Sequence, residues 1–338
     1  MPNTPIPPMI RPVHSKLWSV VLAGGEGARL RSLTRALHDT DLPKQFAVIR
    51  GTRSLLQTTM RRSASWSDAE HTVVVVAGER EVLARRQLVD VDGVEIVPQP
   101  SNCGTAPGLL LPLCHVIARD PNAVVAVVPS DHHVGDDRPM VESVRRAETL
   151  ARTTDSIVLI GAIPDGPEDQ YGWIVPDRTG DRIRRFSEKP AFSMAKELFA
   201  SGALWNTFMM VGRAAKFWEL SRDVLPRQCA LFEAYQPAIG TLAERYVLKQ
   251  LYEDMETADF SRDVLEKADS LRFVRLSACG WSDWGTPQRV MRSLRGTDEH
   301  TALVERLRAK ARARLSSKDR RVASIDERDS SAGDSAGE

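Results

Sequence analysis

The chain has 338 residues, of which 42% are hydrophobic and 27% are charged, and its formal net charge is +1 at pH 7. This composition is typical of a soluble protein, and it excludes the strongly basic surface on which nucleic-acid binding depends. The four cysteines show no zinc-ligand spacing, and the proline-rich start lacks the long apolar core of a signal peptide or membrane anchor. We therefore expect a cytoplasmic protein with no nucleic-acid or membrane partner.

The first half of the chain alternates between strands and helices. After a flexible segment over 1–15, apolar runs predict strands at 18–23, 72–77, 94–97, 123–129 and 157–163. Helices are predicted between them, at 55–64 and 80–89 among others. Several of the runs are almost wholly Val, Ile and Ala, which is typical of strands covered on both faces. The alternation predicts an α/β fold with a doubly wound, mostly parallel sheet, whose ligands lie beyond the carboxyl ends of the strands.

A glycine-rich turn follows the first predicted strand, in the segment LAGGEGARL over 22–30. Gly24, Gly25 and Gly27 lack a Cβ, so the backbone N–H groups of this turn can approach phosphate oxygens closely. Arg29, and Lys44 a little further along the chain, can supply positive charge. The turn matches neither the P-loop nor the dinucleotide fingerprint. It therefore predicts a phosphate site of another kind.

A second polar turn, QPSNCGTAP over 99–107, lies between the third predicted strand and a helix. Thr105 or its neighbours can cap that helix, and this alone would account for the turn. Gln99 and nearby backbone groups can also pair with the edge of a purine base. Both interpretations stay open.

Two aspartates end apolar strands in distant parts of the chain. Asp131 follows the fourth strand in PSDHH, and Asp283 lies in GWSDWGTP. Each alone is more typical of a turn or a helix N-cap, but carboxylate oxygens at strand ends are also natural magnesium ligands. Together with a phosphate-binding turn, the pair predicts a divalent cation that bridges protein and phosphate. His132 and His133 are interpreted as structural, because adjacent residues rarely chelate one metal.

From Tyr171 onward the predicted strands are shorter and the turns more frequent, which predicts a smaller α+β portion beside the sheet. Glu188 and Lys189 can address the hydroxyls and the phosphate of one ligand, or form a solvated pair. Asn206 lies in an apolar stretch, where an amide needs a partner. Gly172 either belongs to a hairpin or lets a ligand lie against the main chain. Further on, a C-terminal helix is predicted over 299–316 and a disordered tail over 317–338.

Taken in order, these motifs resemble those of the sugar-phosphate nucleotidyltransferases, and most closely the mannose-1-phosphate guanylyltransferases. They are LAGGEGARL, PKQF, PSDH, YGWIVP, FSEKP, LWN and GWSDWGTP, spread over about 18–287. The resemblance implies a Rossmann-like nucleotidyltransferase core with a mixed, mostly parallel sheet and a smaller α+β sugar-binding portion, in a catalytic domain over 16–298. It also implies Mg²⁺ dependence and the formation of GDP-mannose and pyrophosphate from GTP and mannose 1-phosphate.

The resemblance assigns roles to three groups of residues. The residues that would meet the nucleotide and its phosphates are Gly24, Gly25, Gly27, Arg29 and Lys44. Those that would hold the metal are Asp131 and Asp283. Those that would bind the sugar phosphate are Gly172, Glu188, Lys189 and Asn206.

The chain also departs from the family pattern at two turns. Gln99 and Cys103-Gly104 stand where the family has Glu and Arg-Asn, and Thr207-Phe208 stand where it has Ser-Gly. These changes leave open another nucleotide or hexose 1-phosphate, or a nucleotide-sugar-binding regulator without turnover. A homodimer also stays open. The chain is too short to include the cupin-type isomerase domain of longer family members, so no isomerase activity is expected.

Overall fold

The computed structural model describes residues 16–333, with side chains described as far as residue 316. The predicted flexible segment over 1–15 lies outside the described residues. The strands are β1 Leu17–Ala23, β2 Thr72–Ala77, β3 Glu95–Gln99, β4 Val124–Pro129, β5 Val158–Ala162, β6 Gly172–Pro176, β7 Ile183–Glu188, β8 Leu204–Arg213 and β9 Arg272–Arg275. The α-helices are α1 Arg31–His38, α2 Leu55–Ser63, α3 Glu81–Gln87, α4 Thr105–Arg119, α5 Asp137–Thr154, α6 Phe192–Ala200, α7 Ala214–Val224, α8 Pro226–Tyr235, α9 Glu244–Glu253, α10 Pro287–Leu294 and α11 Asp298–Gly333.

The strands form one mixed sheet in the order β3-β2-β1-β4-β8-β5-β9, in which β6 also pairs with β8 and β7 pairs with β6. The pairs β3-β2, β2-β1, β1-β4 and β5-β9 are parallel, whereas β8 runs antiparallel to β4, β5 and β6. The predicted α/β class with a mostly parallel sheet is confirmed. Because β1, β2 and β4 are parallel neighbours, the loops after them open at the same edge of the sheet.

Helices cover both faces of the sheet, as the apolar strands require. On one face Val20 and Val75 pack with α4 and with the helices from α7 to α9. On the other face Val21 and Val76 pack with α2 and α3, and Val128 packs with α5. Successive residues of one strand therefore contribute to opposite layers of the core.

The smaller α+β portion consists of β6, β7 and α6 beside the first half of β8. Its core is aromatic, with Tyr171, Trp173 and Trp205 packed against Leu198 of α6. This portion joins the main sheet directly, because β6 pairs with β8 through Trp173 and Trp205. Its polar residues are thereby held at a fixed position beside the main sheet.

The C-terminal helix is longer than the sequence predicts. The predicted helix ends at 316 and is followed by a disordered tail over 317–338, whereas α11 continues to Gly333. The prediction and the structure differ over 317–333, where the chain is helical because no glycine or proline interrupts it between Thr297 and Gly333. Residues 334–338 lie outside the described part of the chain. Leu303 anchors the start of α11 in a cluster with residues of α1 and α10.

A search of the described residues finds no helix with the length and apolar character needed to span a membrane.

Candidate active site

Two distant segments meet beyond the carboxyl end of β4. The main chains of His133 and Ser282 exchange N–H···O hydrogen bonds of 2.9 and 3.0 Å. Trp284 is fully buried and stacks on His133, with ring centroids 4.3 Å apart. This bridge places Asp131 and Asp283, which flank it in sequence, on the same side of the molecule. The two predicted metal ligands are therefore brought together.

Lys44 lies between these two acids and is buried, with a relative exposure of 4%. Its Nζ donates a hydrogen bond of 3.0 Å to Oδ2 of Asp131 and a second hydrogen bond to the main-chain oxygen of Asp283. A single ammonium group thus ties the end of β4 to the turn that carries Asp283. We refer to Lys44, Asp131 and Asp283 as the acid-lysine cluster.

The electrostatic environment keeps both acids ionised. Burial acts to raise the pKa of the Asp131 carboxyl, but the charges of Lys44 and then His132 lower it below its ordinary value. For Asp283 burial again acts to raise the pKa, and the hydrogen bond from Tyr171 leads the effects that lower it. Each carboxylate is thus stabilised as an anion.

Asp283 is held by residues that the sequence alone does not single out for this role. The hydroxyl of Tyr171 donates to Oδ1 at 2.6 Å, and the main-chain N–H of Gly285 donates to the same oxygen at 2.9 Å. Arg289 donates from Nη1 at 3.0 and 3.1 Å, and its guanidinium lies 4.5 Å from the centre of the Tyr171 ring. The only sequence signal for Tyr171 is its position beside Gly172. Arg289 lies only six residues after Asp283, but no motif marks it, and its other partners, Tyr171 and Glu168, are distant in the chain.

Arg29 approaches the same carboxylate from the glycine turn. Its Nη2 lies 3.8 Å from Oδ2 of Asp283, and its side chain is 53% exposed. This distance is too long for a direct hydrogen bond, so the exposed guanidinium can turn toward a bound ligand.

The glycine turn packs directly on Lys44. Gly27 has a φ of +60°, and a Cβ there would lie only 2.7 Å from Cβ of Lys44. A residue without a side chain is therefore required by both conformation and space. Gln45 supports the turn from below, because its Nε2 donates to the main-chain oxygens of Ala23 at 2.8 Å and Gly25 at 2.7 Å. This role of Gln45 is another that the sequence does not signal.

A cavity of about 200 Å³ opens between the glycine turn and the end of β3. Gln99 and Gly24 line it, and Oε1 of Gln99 would lie 3.4 Å from a Cβ on Gly24. Nε2 of Gln99 is buried without a hydrogen-bond partner among the described residues. A buried donor without a partner destabilises the folded protein, unless a ligand accepts a hydrogen bond from it. We refer to this space as the Gln99 cavity.

Thr105 lies at the start of α4, but its side chain does not cap that helix. Its hydroxyl oxygen accepts a hydrogen bond of 2.8 Å from the main-chain N–H of Phe260. The capping interpretation is therefore wrong for Thr105, because its hydroxyl is engaged with a distant segment.

The residues predicted for the sugar phosphate also converge. Gly172 on β6 pairs in register with Glu188 on β7, and a Cβ on Gly172 would lie 2.5 Å from Oε2 of Glu188 and 3.3 Å from Cβ of Asn206. Nζ of Lys189 lies 3.0 Å from Oε1 of Glu188. Burial raises the pKa of Glu188 above its ordinary value, although Lys189 opposes this effect. The partner that Asn206 needs is the main-chain N–H of Phe208, which donates to Oδ1 at 3.1 Å.

Backbone strain is concentrated around these groups. Lys189, Phe208 and Trp284 have positive φ values of 45°, 59° and 45° although none is a glycine. Such conformations are strained for bulky residues and tend to occur where a site requires them. At Phe208, the hydrogen bond to Asn206 holds the backbone in this conformation.

The chain matches a protein-family model and is similar in sequence to several known proteins. A family model described as "Nucleotidyl transferase" matches residues 18–298. The chain is 30% identical over 283 residues to mannose-1-phosphate guanylyltransferase RfbM of Salmonella typhimurium, covering 79% of this chain and 56% of the relative. It is 29% identical over 292 residues to mannose-1-phosphate guanylyltransferase of Escherichia coli, covering 81% and 59%. The chain thus spans a little over half the length of these relatives.

Among solved structures, the chain is similar to one described as mannose-1-phosphate geranyltransferase from Thermus thermophilus. The TM-score is 0.73 at 28% sequence identity, and the match covers 83% of this chain and 80% of the other. The fold, the order of the motifs and the family model all indicate the same family, and the family model covers nearly the whole main sheet. The chain belongs to the nucleotidyl transferase family.

Proposed function

We propose that this protein transfers a nucleotidyl group from a nucleoside triphosphate to a sugar 1-phosphate, with GTP and mannose 1-phosphate as substrates and GDP-mannose and pyrophosphate as products. The main observation behind this proposal is the acid-lysine cluster, in which Lys44 donates hydrogen bonds to Asp131 and to the main chain of Asp283, 239 residues away. The glycine turn lies against this cluster, and Tyr171 links it to the Gly172 and Glu188 pair. The relatives named above support the choice of substrates.

The reaction needs alignment and charge neutralisation more than proton transfer. A phosphate oxygen of the sugar 1-phosphate, already ionised at neutral pH, attacks the α-phosphorus of the triphosphate. The new P–O bond forms as the bond to the β-phosphate oxygen breaks, and pyrophosphate leaves with that electron pair. Lys44 and Arg29 would stabilise negative charge on the phosphates, and the N–H groups of the glycine turn would align them.

The acid-lysine cluster fits a magnesium ion. Both carboxylates are ionised and both lie next to Lys44, and carboxylate oxygens are ligands that Mg²⁺ prefers. Within the described residues, no group of three or more His, Cys, Asp and Glu side chains could hold a metal. Phosphate oxygens of the substrates would therefore complete the coordination. When bound, the metal would polarise the α-phosphate.

The Gln99 cavity is proposed to bind the nucleobase. Replacing Gln99 with Ala is expected to raise the KM for the nucleotide about tenfold, since one or more hydrogen bonds to the base would be lost. Steady-state kinetics with each substrate varied in turn will measure this. The KM for the sugar phosphate should change little, and an unchanged nucleotide KM would remove Gln99 from base recognition. Gln250→Ala, the same change at an exposed residue of α9 outside this cavity, is the matched control.

The β6-β7 pair is proposed to bind the sugar phosphate. Gly172→Ala is expected to raise the KM for the sugar 1-phosphate about tenfold, because the new Cβ would displace the Glu188 carboxylate from its present position. Gly166→Ala is the matched control, since a Cβ there meets no atom within 4 Å. A normal sugar KM in folded Gly172→Ala would argue against this placement of the sugar.

The proposed function is tested by measuring pyrophosphate release over a panel of substrates. GTP, UTP, CTP and dTTP are each combined with several hexose 1-phosphates in the presence of Mg²⁺. The highest kcat/KM is expected for GTP with mannose 1-phosphate. A different best pair would keep the chemistry and change the substrates, whereas tight binding of GDP-mannose without any turnover would favour the regulator that the altered turn at Gln99 leaves open.

A further inference from the structure

A second cavity, of about 230 Å³, lies beside α2 and the segment that follows Asp131. Its lining shares no residue with the Gln99 cavity. Four of its lining residues are arginines, namely Arg50, Arg53, Arg61 and Arg62. We refer to this cavity as the arginine pocket. The proposed reaction uses none of these arginines.

The positive charge of the arginine pocket is only partly balanced. Arg61 and Arg62 share one carboxylate, that of Asp137, at 2.8 and 2.6 Å. Arg50 pairs with Glu299 at 3.0 Å. Arg53 is exposed, and no hydrogen bond or ion pair is found for it among the described residues. Four guanidinium groups therefore face two carboxylates, which leaves an excess of two positive charges.

Arg62 gives a second, independent sign of a ligand. Its relative exposure is 2%, and its Nε is bound to Asp137. Its Nη2 is buried without a hydrogen-bond partner among the described residues. A buried guanidinium donor that is left unpaired costs free energy, and an anionic oxygen in the pocket would satisfy it.

The size of the pocket suits an anion of several atoms. One water molecule takes up about 30 Å³ in the liquid. The cavity is several times larger than that, so it has room for a phosphate or diphosphate group among the arginines. Guanidinium groups are well suited to this task, because their planar donors match phosphate oxygens in pairs.

We propose that the arginine pocket is a second anion site, which binds the phosphate or diphosphate group of a small molecule outside the acid-lysine cluster. This proposal does not depend on the proposed catalytic function. The pocket borders the segments that carry both acids. His132 lines it, and Nε2 of His132 lies 3.7 Å from Oδ1 of Asp131. Trp284, which follows Asp283 in the sequence, also lines it. A ligand here would therefore lie close to the residues proposed for catalysis, although none of the residues proposed to bind the substrates lines the pocket.

The test is isothermal titration of the full chain with inorganic pyrophosphate and, separately, with orthophosphate, both without Mg²⁺. The double variant Arg53→Gln/Arg61→Gln is expected to weaken pyrophosphate binding at the pocket at least tenfold. Both side chains are largely exposed, so the fold should be retained, and thermal unfolding followed by circular dichroism will check this. Arg86→Gln, an exposed arginine on α3 outside the pocket, is the matched control and should bind as the unaltered chain does.

Pyrophosphate can also bind at the acid-lysine cluster, and the variant Lys44→Gln distinguishes the two sites. This variant should lose binding at the cluster and keep pyrophosphate binding at the arginine pocket. Loss of all pyrophosphate binding in Lys44→Gln, or unchanged binding in the double variant, would overturn the proposal. A location-specific measurement covers the case in which Lys44→Gln does not fold. Crystals of the full chain soaked in sodium tungstate should show an anomalous peak within hydrogen-bond distance of Arg62, and a peak confined to the acid-lysine cluster would also overturn it.

Discussion

Replacing Asp131 with Asn should lower kcat by about 100- to 1,000-fold while the protein stays folded. The substitution keeps the shape of the side chain but removes the negative charge that faces Lys44 and the proposed metal. The amide oxygen of Asn can still accept the hydrogen bond from the buried Lys44, and the side chain at this position is 31% exposed, so most of the stability should be retained. Activity is therefore expected to fall much further than stability.

This expectation is checked by pyrophosphate release at saturating substrates, with urea unfolding measured on the same sample. Asp136→Asn is the matched control, because Asp136 caps α5 and Asn is an equally good N-cap. Its activity should stay close to that of the unaltered chain. Near-normal turnover in folded Asp131→Asn would exclude that carboxylate from the mechanism.

Asp283→Asn should abolish most turnover and, unlike Asp131→Asn, should also destabilise the fold by about 3 kcal/mol. The difference arises from the surroundings of Asp283. Its side chain is 11% exposed, and that of its partner Arg289 is 9% exposed. Removing the carboxylate charge leaves a buried guanidinium with weaker compensation from Glu168 alone.

The stability part of this prediction is tested by a double-mutant cycle with Arg289→Gln, measured by urea unfolding. Because the two side chains interact directly, the double variant should be less destabilised than the sum of the single variants. Additive effects would show that the ion pair does not carry the loss. Full activity in folded Asp283→Asn would remove this residue from the proposed metal site.

Much of the fold could be predicted because its signals are local. The strands β1, β2 and β4 are covered on both faces, so each appears as a mostly apolar run that is rich in Val. Asp131 could be predicted from its position just after β4, whereas Asp283 does not end a strand as predicted but lies in a turn eight residues beyond the end of β9. The length of α11 could not, because a sequence poor in apolar residues can remain helical when nothing interrupts it.

The rest of the candidate site depends on contacts between distant residues. Tyr171 reaches Asp283 across 112 positions of sequence, and nothing near either residue indicates the partner. Gln45 supports the glycine turn by bonds to main-chain oxygens, which every residue offers equally. The strained conformation of Phe208 is likewise hidden, because a left-handed backbone is expected of glycine and not of a bulky aromatic residue.

The hydrogen bond from Lys44 to the main chain of Asp283 has a consequence for how the protein is made. It closes a loop of 239 residues, so it cannot form until most of the chain has been synthesised. Contacts of such high sequence separation form late and slow the overall folding rate. A partly synthesised chain would therefore fold its parallel strands first. The acid-lysine cluster would be complete only when the turn at Asp283 has left the ribosome.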